Sequence, residues 1–212
     1  MVYVLKKDKY SSHSQIAKMI APGSKVLDVG CSSGQIGKLA GRKAYFVGVD
    51  RDKQGLEKSG YSKKILLDIE KGLPKLNEKF DFIVFADVLE HVVDPEKLLK
   101  SYTKYLAKNG KMIVSLPNIA NIYIRLKLLF GSFNYQERGI LDKTHLKFFT
   151  LKSAKILVLG AGFEIEEIKA TPMPLGEVKS SYVIFCKPLY CLTLLWPKLF
   201  GYQFIFKIKP KS

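Results

Sequence analysis

Along the first two thirds of the chain, short apolar runs alternate with stretches whose apolar residues recur at helical spacing. Lys25-Val26-Leu27-Asp28-Val29 and the runs at 44–50, 65–68, 80–85 and 111–115 are short, rich in β-branched and aromatic residues, and read as strands. Residues 35–40 read as a helix. Residues 95–107 read as a longer one, with Leu98, Leu99, Tyr102, Tyr105 and Leu106 on one apolar stripe. Ahead of these, Ser12-His13-Ser14-Gln15 has the Ser-x-x-Gln form of a capping box and precedes Ile16, Ala17, Met19 and Ile20, which predicts a short helix ending at Pro22-Gly23. Strands alternating with helices predict an α/β fold, doubly wound, with a mainly parallel sheet covered on both faces.

The last third departs from this rhythm. A basic amphipathic stretch at 119–130 leads through a polar loop to Thr150, then to a helix at 151–159 stopped by Gly160-Ala161-Gly162 and a strand at 163–168. Residues 182–200 are nearly all apolar, but Lys187, Pro188, Pro197 and Lys198 break the run, so it is too interrupted to span a membrane as a helix. Tyr202-Gln203-Phe204-Ile205-Phe206-Lys207-Ile208 reads as a final strand. That leaves 187–201 as a surface element with Leu189, Leu192, Leu195, Trp196 and Phe200 as its apolar face. With 212 residues and no repeat, low-complexity segment or linker, one domain is expected. Its parts are an N-terminal cap helix (1–22), a ligand-binding core (23–118), a substrate-facing insertion (119–149), and a C-terminal helix, strands and apolar basic tail (150–212).

Composition and charge narrow the function. Cys31, Cys186 and Cys191 are odd in number and lack metal-ligand spacing, and no long apolar run follows the N-terminal charges, so a reducing, cytoplasmic setting without a secretory signal is expected. The net charge of +16 is local: residues 97–136 carry seven Lys and Arg and 178–212 carry six, with no acid in either stretch. Such stretches point to an anionic partner, which is a phosphorylated substrate, a nucleic acid or an acidic membrane surface; scattered solvated lysines are the bland alternative.

Asp28-Val29-Gly30-Cys31-Ser32-Ser33-Gly34 ends the first strand and opens the next helix. Backbone amides at such a junction face outward, and glycines let a ligand approach the main chain without meeting a Cβ. Asp50, 20 residues after Gly30 at the end of the second strand, can accept hydrogen bonds from both hydroxyls of a ribose. The loop lacks the Gly-x-Gly-x-x-Gly form that cradles a pyrophosphate, which argues against NAD.

At these residues the chain resembles the class I S-adenosylmethionine-dependent methyltransferases, whose loop has the form Asp-x-Gly-x-Gly-x-Gly. Asp28, Gly30 and Gly34 match, and Ser32 stands at the middle glycine. Leu67-Asp68-Ile69 resembles the segment after the third strand, where the family's acid contacts the adenine. The run from Phe82 to His91 resembles the fourth strand and its sequel, and the run from Gly110 to Asn118 the fifth. The match covers residues 24–170 in order. It implies a Rossmann-like, seven-stranded sheet with a small cap from 1–22 and 119–149, and S-adenosyl-L-methionine as cofactor. It also implies cofactor contacts from Asp28, Gly30, Cys31, Ser32, Gly34, Asp50, Arg51, Asp68, Ile69, Ala86 and Asp87. The resemblance is nearest to the ubiquinone-pathway O-methyltransferases, the methionine-biosynthesis-associated group and enzymes that modify cell-surface sugars.

Methyl transfer from a sulfonium needs alignment first, and a general base only when the acceptor is protonated. His91 follows the fourth strand on the cofactor side. His145 and Asp142 lie in Gly139-Ile140-Leu141-Asp142-Lys143-Thr144-His145, a polar loop between apolar runs with no packing reason for its polarity. His145, His91 and Asp142 are therefore the catalytic candidates, while His13 belongs to the first helix's cap. The bland alternative for His91 is a hydrogen-bonded residue that fixes the turn. Asp87-x-x-Glu90-His91 with the distant His145 would also suit a divalent ion and resembles the layout of small-RNA 3′-terminal 2′-O-methyltransferases, with Asp87 in place of their first glutamate. The metal-free reading is preferred, since Glu-His pairs occur in metal-free relatives. The expected function is O-methylation of a small-molecule, sugar or lipid-linked acceptor. A metal-dependent RNA 2′-O-methyltransferase comes second, a non-catalytic cofactor-binding partner subunit third. The tail at 187–201 is expected to give weak, peripheral membrane contact.

Overall fold

The computed structural model describes residues 8–41, 44–174 and 183–211; residues 1–7 of the expected cap and Tyr182 of the apolar run lie outside them. Seven strands form one sheet: β1 (Lys25–Val29), β2 (Tyr45–Asp50), β3 (Lys63–Leu66), β4 (Phe80–Ala86), β5 (Leu106–Pro117), β6 (Phe163–Thr171) and β7 (Gln203–Pro210). Their order is β3-β2-β1-β4-β5-β7-β6, with the neighbours among β1 to β5 parallel and β7 antiparallel to both β5 and β6. The helices are α1 (Ser12–Met19), α2 (Gln35–Ala40), α3 (Lys53–Glu57), α4 (Pro95–Tyr102), α5 (Ile122–Leu129), α6 (Leu151–Gly160), α7 (Val183–Leu195) and α8 (Pro197–Phe200).

The period-two alternation of the strands splits the core into two layers. Leu27, Ile83, Phe85, Met112, Val114, Phe204 and Phe206 pack with Leu98, Leu99 and Tyr102 of α4 and Ala154 and Val158 of α6. Val26, Val84, Ile113 and Ile205 point the other way, toward Ile16 of α1, Ile36 of α2 and Leu56 of α3. The N-terminal helix is thus part of a covering layer of the sheet, not of a cap, because Ile16 and Ile20 are buried there. Among the described residues, 119–149 has a small core of its own: Ile124, Ile140 and Leu141, against which Ile119, Phe148 and Tyr202 pack.

Several boundaries differ from expectation, three of them for reasons visible in the structure. The cap of α1 is Ser11, whose Oγ accepts from the Ser14 N–H at 3.3 Å, and Ser12 sits inside the first turn. The stripe of α4 continues through Tyr105, but residues 103–105 tighten into a 3₁₀ turn and Leu106 already pairs with Phe80 as strand. Tyr105 ends the stripe buried, its hydroxyl donating to the Pro74 carbonyl at 2.5 Å. The third strand starts two residues early because β2 sets its register, pairing Val47 with Lys63 and Asp50 with Leu66. As an edge strand it carries exposed lysines, which hides it from an apolar pattern.

Candidate functional site

The strand order reverses between β1 and β4, the place where open α/β sheets bind ligands at the carboxyl ends of their strands. The β1–α2 turn lies there. Gly30 (φ 71°), Ser32 (φ 45°) and Gly34 (φ 69°) all take left-handed backbone. A Cβ on Gly30 would stand 2.5 Å from Val88 Cγ2, and one on Gly34 would stand 2.5 Å from the Ser59 carbonyl oxygen. At these two glycines, then, the space that the sequence reserved for a ligand lets the protein close on its own loop. The Gly30 and Cys31 N–H groups donate to the Val49 carbonyl at 2.8 and 3.2 Å. Asp50 pins the turn from the next strand: Oδ2 accepts from the Ser32 N–H at 2.6 Å and Oδ1 from the Asp52 N–H at 2.7 Å. Each of those oxygens keeps a further lone pair.

Asp28 and Cys31 are buried beneath this loop. The Tyr61 hydroxyl donates to Asp28 Oδ2 at 2.5 Å and accepts from the Gly37 N–H at 3.1 Å, tying β1 to α2. Burial pushes the Asp28 carboxyl from 3.8 up to about 7, with the Tyr61 hydrogen bond opposing and the charge of Asp50 adding to the rise. Burial, then the charge of Asp28, pushes the Cys31 thiol well up, so it is no nucleophile. Arg51 is exposed beside Asp50, and Asp68 and Ile69 are half-buried just past β3. Ala86 closes β4. Asp87 follows in a left-handed conformation (φ 56°), with Oδ1 accepting from Ser115 Oγ at 2.8 Å and from Gln203 Nε2 at 2.7 Å.

A second cluster adjoins the first through Val88. Glu90 is 1% exposed, and neither of its carboxylate oxygens accepts a hydrogen bond from another described residue. Burial first, then the negative charge of Asp87, pushes its pKa well above the usual carboxylate range. His145 Nε2 lies 3.9 Å from Glu90 Oε1. The other ring nitrogen, Nδ1, is 3.0 Å from the Ile140 carbonyl, an acceptor only, which assigns the proton to Nδ1 and leaves Nε2 with its lone pair. His91 does likewise, its Nδ1 lying 3.1 Å from the Thr144 carbonyl, and the two imidazoles meet edge to face at 4.7 Å. Burial, then the charge of His91, holds His145 below its ordinary value. For Asp142 burial acts upward, but two hydrogen bonds from Thr144, at 2.8 and 2.7 Å, and the neighbouring imidazoles carry it below the usual carboxylate value.

The sequence thus named the histidines, Asp142 and Glu90, and the fold brings them together. It does not bring Asp87 into their ligand set: Glu90, His91 and His145 offer atoms within 4.8 Å of one another, and Asp87 turns instead to Ser115 and Gln203. Tyr61, Ser115, Thr144 and Gln203 were not foreseen. For Gln203 a signal existed, a lone amide directly ahead of the apolar run Phe204-Ile205-Phe206.

Residues 7–168 match the family model described as a methyltransferase domain. The ubiquinone biosynthesis O-methyltransferase of Pelagibacter ubique is 32% identical over 101 residues, 44% of this chain and 42% of that protein. Its counterpart in Psychrobacter arcticus is 28% identical over 172 residues, 74% and 66%. An uncharacterised protein of Methanocaldococcus jannaschii is 30% identical over 171 residues, 80% of this chain and 78% of that one. The chain therefore spans less than two thirds of the ubiquinone enzymes' own length. Among solved structures, the magnesium protoporphyrin IX methyltransferase of Synechocystis, with bound S-adenosylhomocysteine, superposes with a TM-score of 0.63 at 15% identity over 100% of this chain and 89% of that one. An S-adenosylmethionine-dependent methyltransferase of Archaeoglobus fulgidus does so with 0.62 at 16% identity, over 97% of each. These two likenesses concern the fold.

Proposed function

Because the chain belongs to the methyltransferase-domain family, the class I S-adenosylmethionine-dependent methyltransferases, we propose that it methylates an oxygen of a small-molecule, sugar or lipid-linked acceptor. The carrying observation is His145, whose Nδ1 is committed to the Ile140 carbonyl, which leaves Nε2 as the proton-accepting nitrogen, 3.9 Å from Glu90 Oε1 at the cofactor end of the sheet. The loop fits the cofactor: Asp50 retains a lone pair on each oxygen for ribose hydroxyls, and Asp68 stands past β3 for the adenine. Bound there, the cofactor supplies a methyl carbon made electrophilic by the adjoining positive sulfur. The protein's own work is to orient the acceptor and remove its proton. His145 Nε2 takes the hydroxyl proton as the oxygen attacks, and the anionic Asp142 steadies the imidazolium so formed. Alignment of acceptor and methyl group accounts for the larger share of rate, about 7–11 kcal/mol at best. His145→Ala should lower turnover by about 10²–10⁴-fold with cofactor affinity unchanged by calorimetry. Hydroxyl-bearing acceptors are scored by mass spectrometry for the gain of one methyl group, and wild-type turnover in the variant would overturn the assignment.

One observation favours a second reading. The buried Glu90 carboxylate without hydrogen-bond donors, with one ring nitrogen each of His91 and His145 within 4.8 Å, suits a divalent cation. Such an ion would polarise the acceptor oxygen in place of the base. Under this reading excess chelator abolishes turnover and one added divalent ion restores it; full activity in chelator removes it.

A further inference from the structure

Two segments of this chain are helical without burying their apolar side chains. Of α5 only Ile124 is buried, while Leu126 and Leu128 stand 49% exposed, Leu129 75% and Phe130 82%. An eight-residue helix gains little from propensity and depends on tertiary burial of an apolar face. At the junction of α7 and α8 the same holds: Leu194 is 59% exposed, Leu195 82% and Trp196 60%. Scattered exposed leucines need no explanation, but seven large apolar side chains in two short segments do.

The two segments are joined. Asn121, the N-cap of α5, donates through Nδ2 to the carbonyls of Phe200 at 3.3 Å and Gly201 at 2.8 Å, and Asn118 Nδ2 donates to those of Lys198 at 3.3 Å and Gly201 at 2.8 Å. Both leave the sheet where Pro117 of β5 pairs with Gln203 of β7, the end that also carries Asp50 and His145. Their charges have one sign. Residues 119–136 hold Arg125 and Lys127, residues 183–201 hold Lys187 and Lys198, and neither stretch contains an acid. Tyr123 and Trp196 add aromatic rings suited to the level of lipid headgroups.

We propose that α5 and the α7–α8 segment together form a docking surface for an anionic lipid bilayer, lying in its interface with the mouth of the site turned toward the membrane. Basic side chains around an apolar face, with no acid to repel lipid phosphates, are the complement of such a surface. No described helix is long and apolar enough to cross a membrane, in keeping with an interfacial seat. The inference stands independently of the acceptor and of the base.

Flotation of the whole chain tests it, with vesicles of equal parts phosphatidylcholine and phosphatidylglycerol and with phosphatidylcholine alone. Wild type should float with the anionic vesicles at low salt and be released by high salt. Leu129→Glu/Phe130→Glu and Leu195→Glu/Trp196→Glu should each lower the partition coefficient by at least about tenfold. Lys187→Gln and Lys198→Gln should lower it about fivefold each. Cofactor affinity, measured by calorimetry on the same samples, should stay at the wild-type value, which separates loss of docking from misfolding and from failure of the methyltransferase reading. Wild type remaining in the soluble fraction with anionic vesicles would overturn the proposal. So would unimpaired flotation of both charge-bearing variants, or a salt-independent dimer that Leu129→Glu dissociates and that does not float.

Discussion

Asp50 serves two ends with one carboxylate: it orders the β1–α2 turn through the Ser32 N–H and has lone pairs left for a ligand. Asp50→Ala should weaken S-adenosylmethionine binding by about 1.5–3 kcal/mol, the range for losing a charge-assisted acceptor; unchanged affinity by calorimetry would take Asp50 out of the cofactor site. His145 yields a pH prediction. Because burial and His91 hold it below 6.5, the base form is already dominant at that pH, and the acid limb of a kcat/KM profile should lie on the acidic side of 6.5. A limb above 6.5 would count against His145 as the base. Glu90 separates the two readings of the site. Burial and the charge of Asp87 favour its protonated form, which glutamine mimics, so Glu90→Gln should leave metal-free turnover within a few-fold, whereas under the cation reading it should abolish the response to added metal. These residues were legible because the signals are local: a loop with its glycines, an acid at a strand end, a polar loop between apolar runs. The partners that set their state were not. Tyr61 reaches Asp28 across 33 positions and Gln203 reaches Asp87 across 116, separations at which a sequence carries no geometric information.

Among the elements, the Tyr61 bridge joins β1, the loop and α2, and the burial of its Asp28 end makes stability depend on pH. An unfolded chain ionises Asp28 near 3.8, while the folded one keeps its proton up to about 7. The folded state holds the additional proton in that window, so this contribution is full below 3.8 and is lost as pH rises through about 7. Asp28→Asn removes the titration. Thermal or denaturant melts should show the variant gaining on wild type across the window by up to about 4 kcal/mol, and a constant difference would show that Asp28 does not titrate there. Gly34→Ala places a Cβ 2.5 Å from a carbonyl oxygen at φ 69°, and should destabilise the chain by about 1–3 kcal/mol and loosen the cofactor loop. Element type was readable wherever one face is buried, as in β1, β4 and α6. It failed at edges: β3 is mostly exposed, and the stripe of α4 runs on into a 3₁₀ turn that buries Tyr105 without remaining α-helical. The apolar run at 183–200 was equally opaque. Its pattern fits a buried strand or a helix, and the fold takes it as α7 and α8, ahead of β7.

At the scale of the molecule, alternation of strands and helices was enough to foresee a mainly parallel sheet, but not that the last strand enters it between β5 and β6. That insertion makes the C-terminal segment a condition for the whole fold. Without β7, β6 has no partner in the sheet and β5 becomes an edge with its buried face open to water. Phe204, Ile205, Phe206 and Ile208 are all fully buried and serve both core layers at once. Each such side chain is worth about 2–5 kcal/mol on truncation, against about 5–15 kcal/mol for the stability of a typical domain. Removal of 202–212 should therefore abolish cooperative unfolding, leaving a collapsed chain that binds a hydrophobic dye and lacks near-ultraviolet dichroism. Lys209→Gln is the control, since Lys209 is exposed in the same strand and lies 3.4 Å from Glu164 in an exposed ion pair. It should change stability by less than about 0.5 kcal/mol. A truncated chain that still melts cooperatively would mean that β1 to β5 with their helices fold on their own, and that β6 and β7 are an addition to a complete domain.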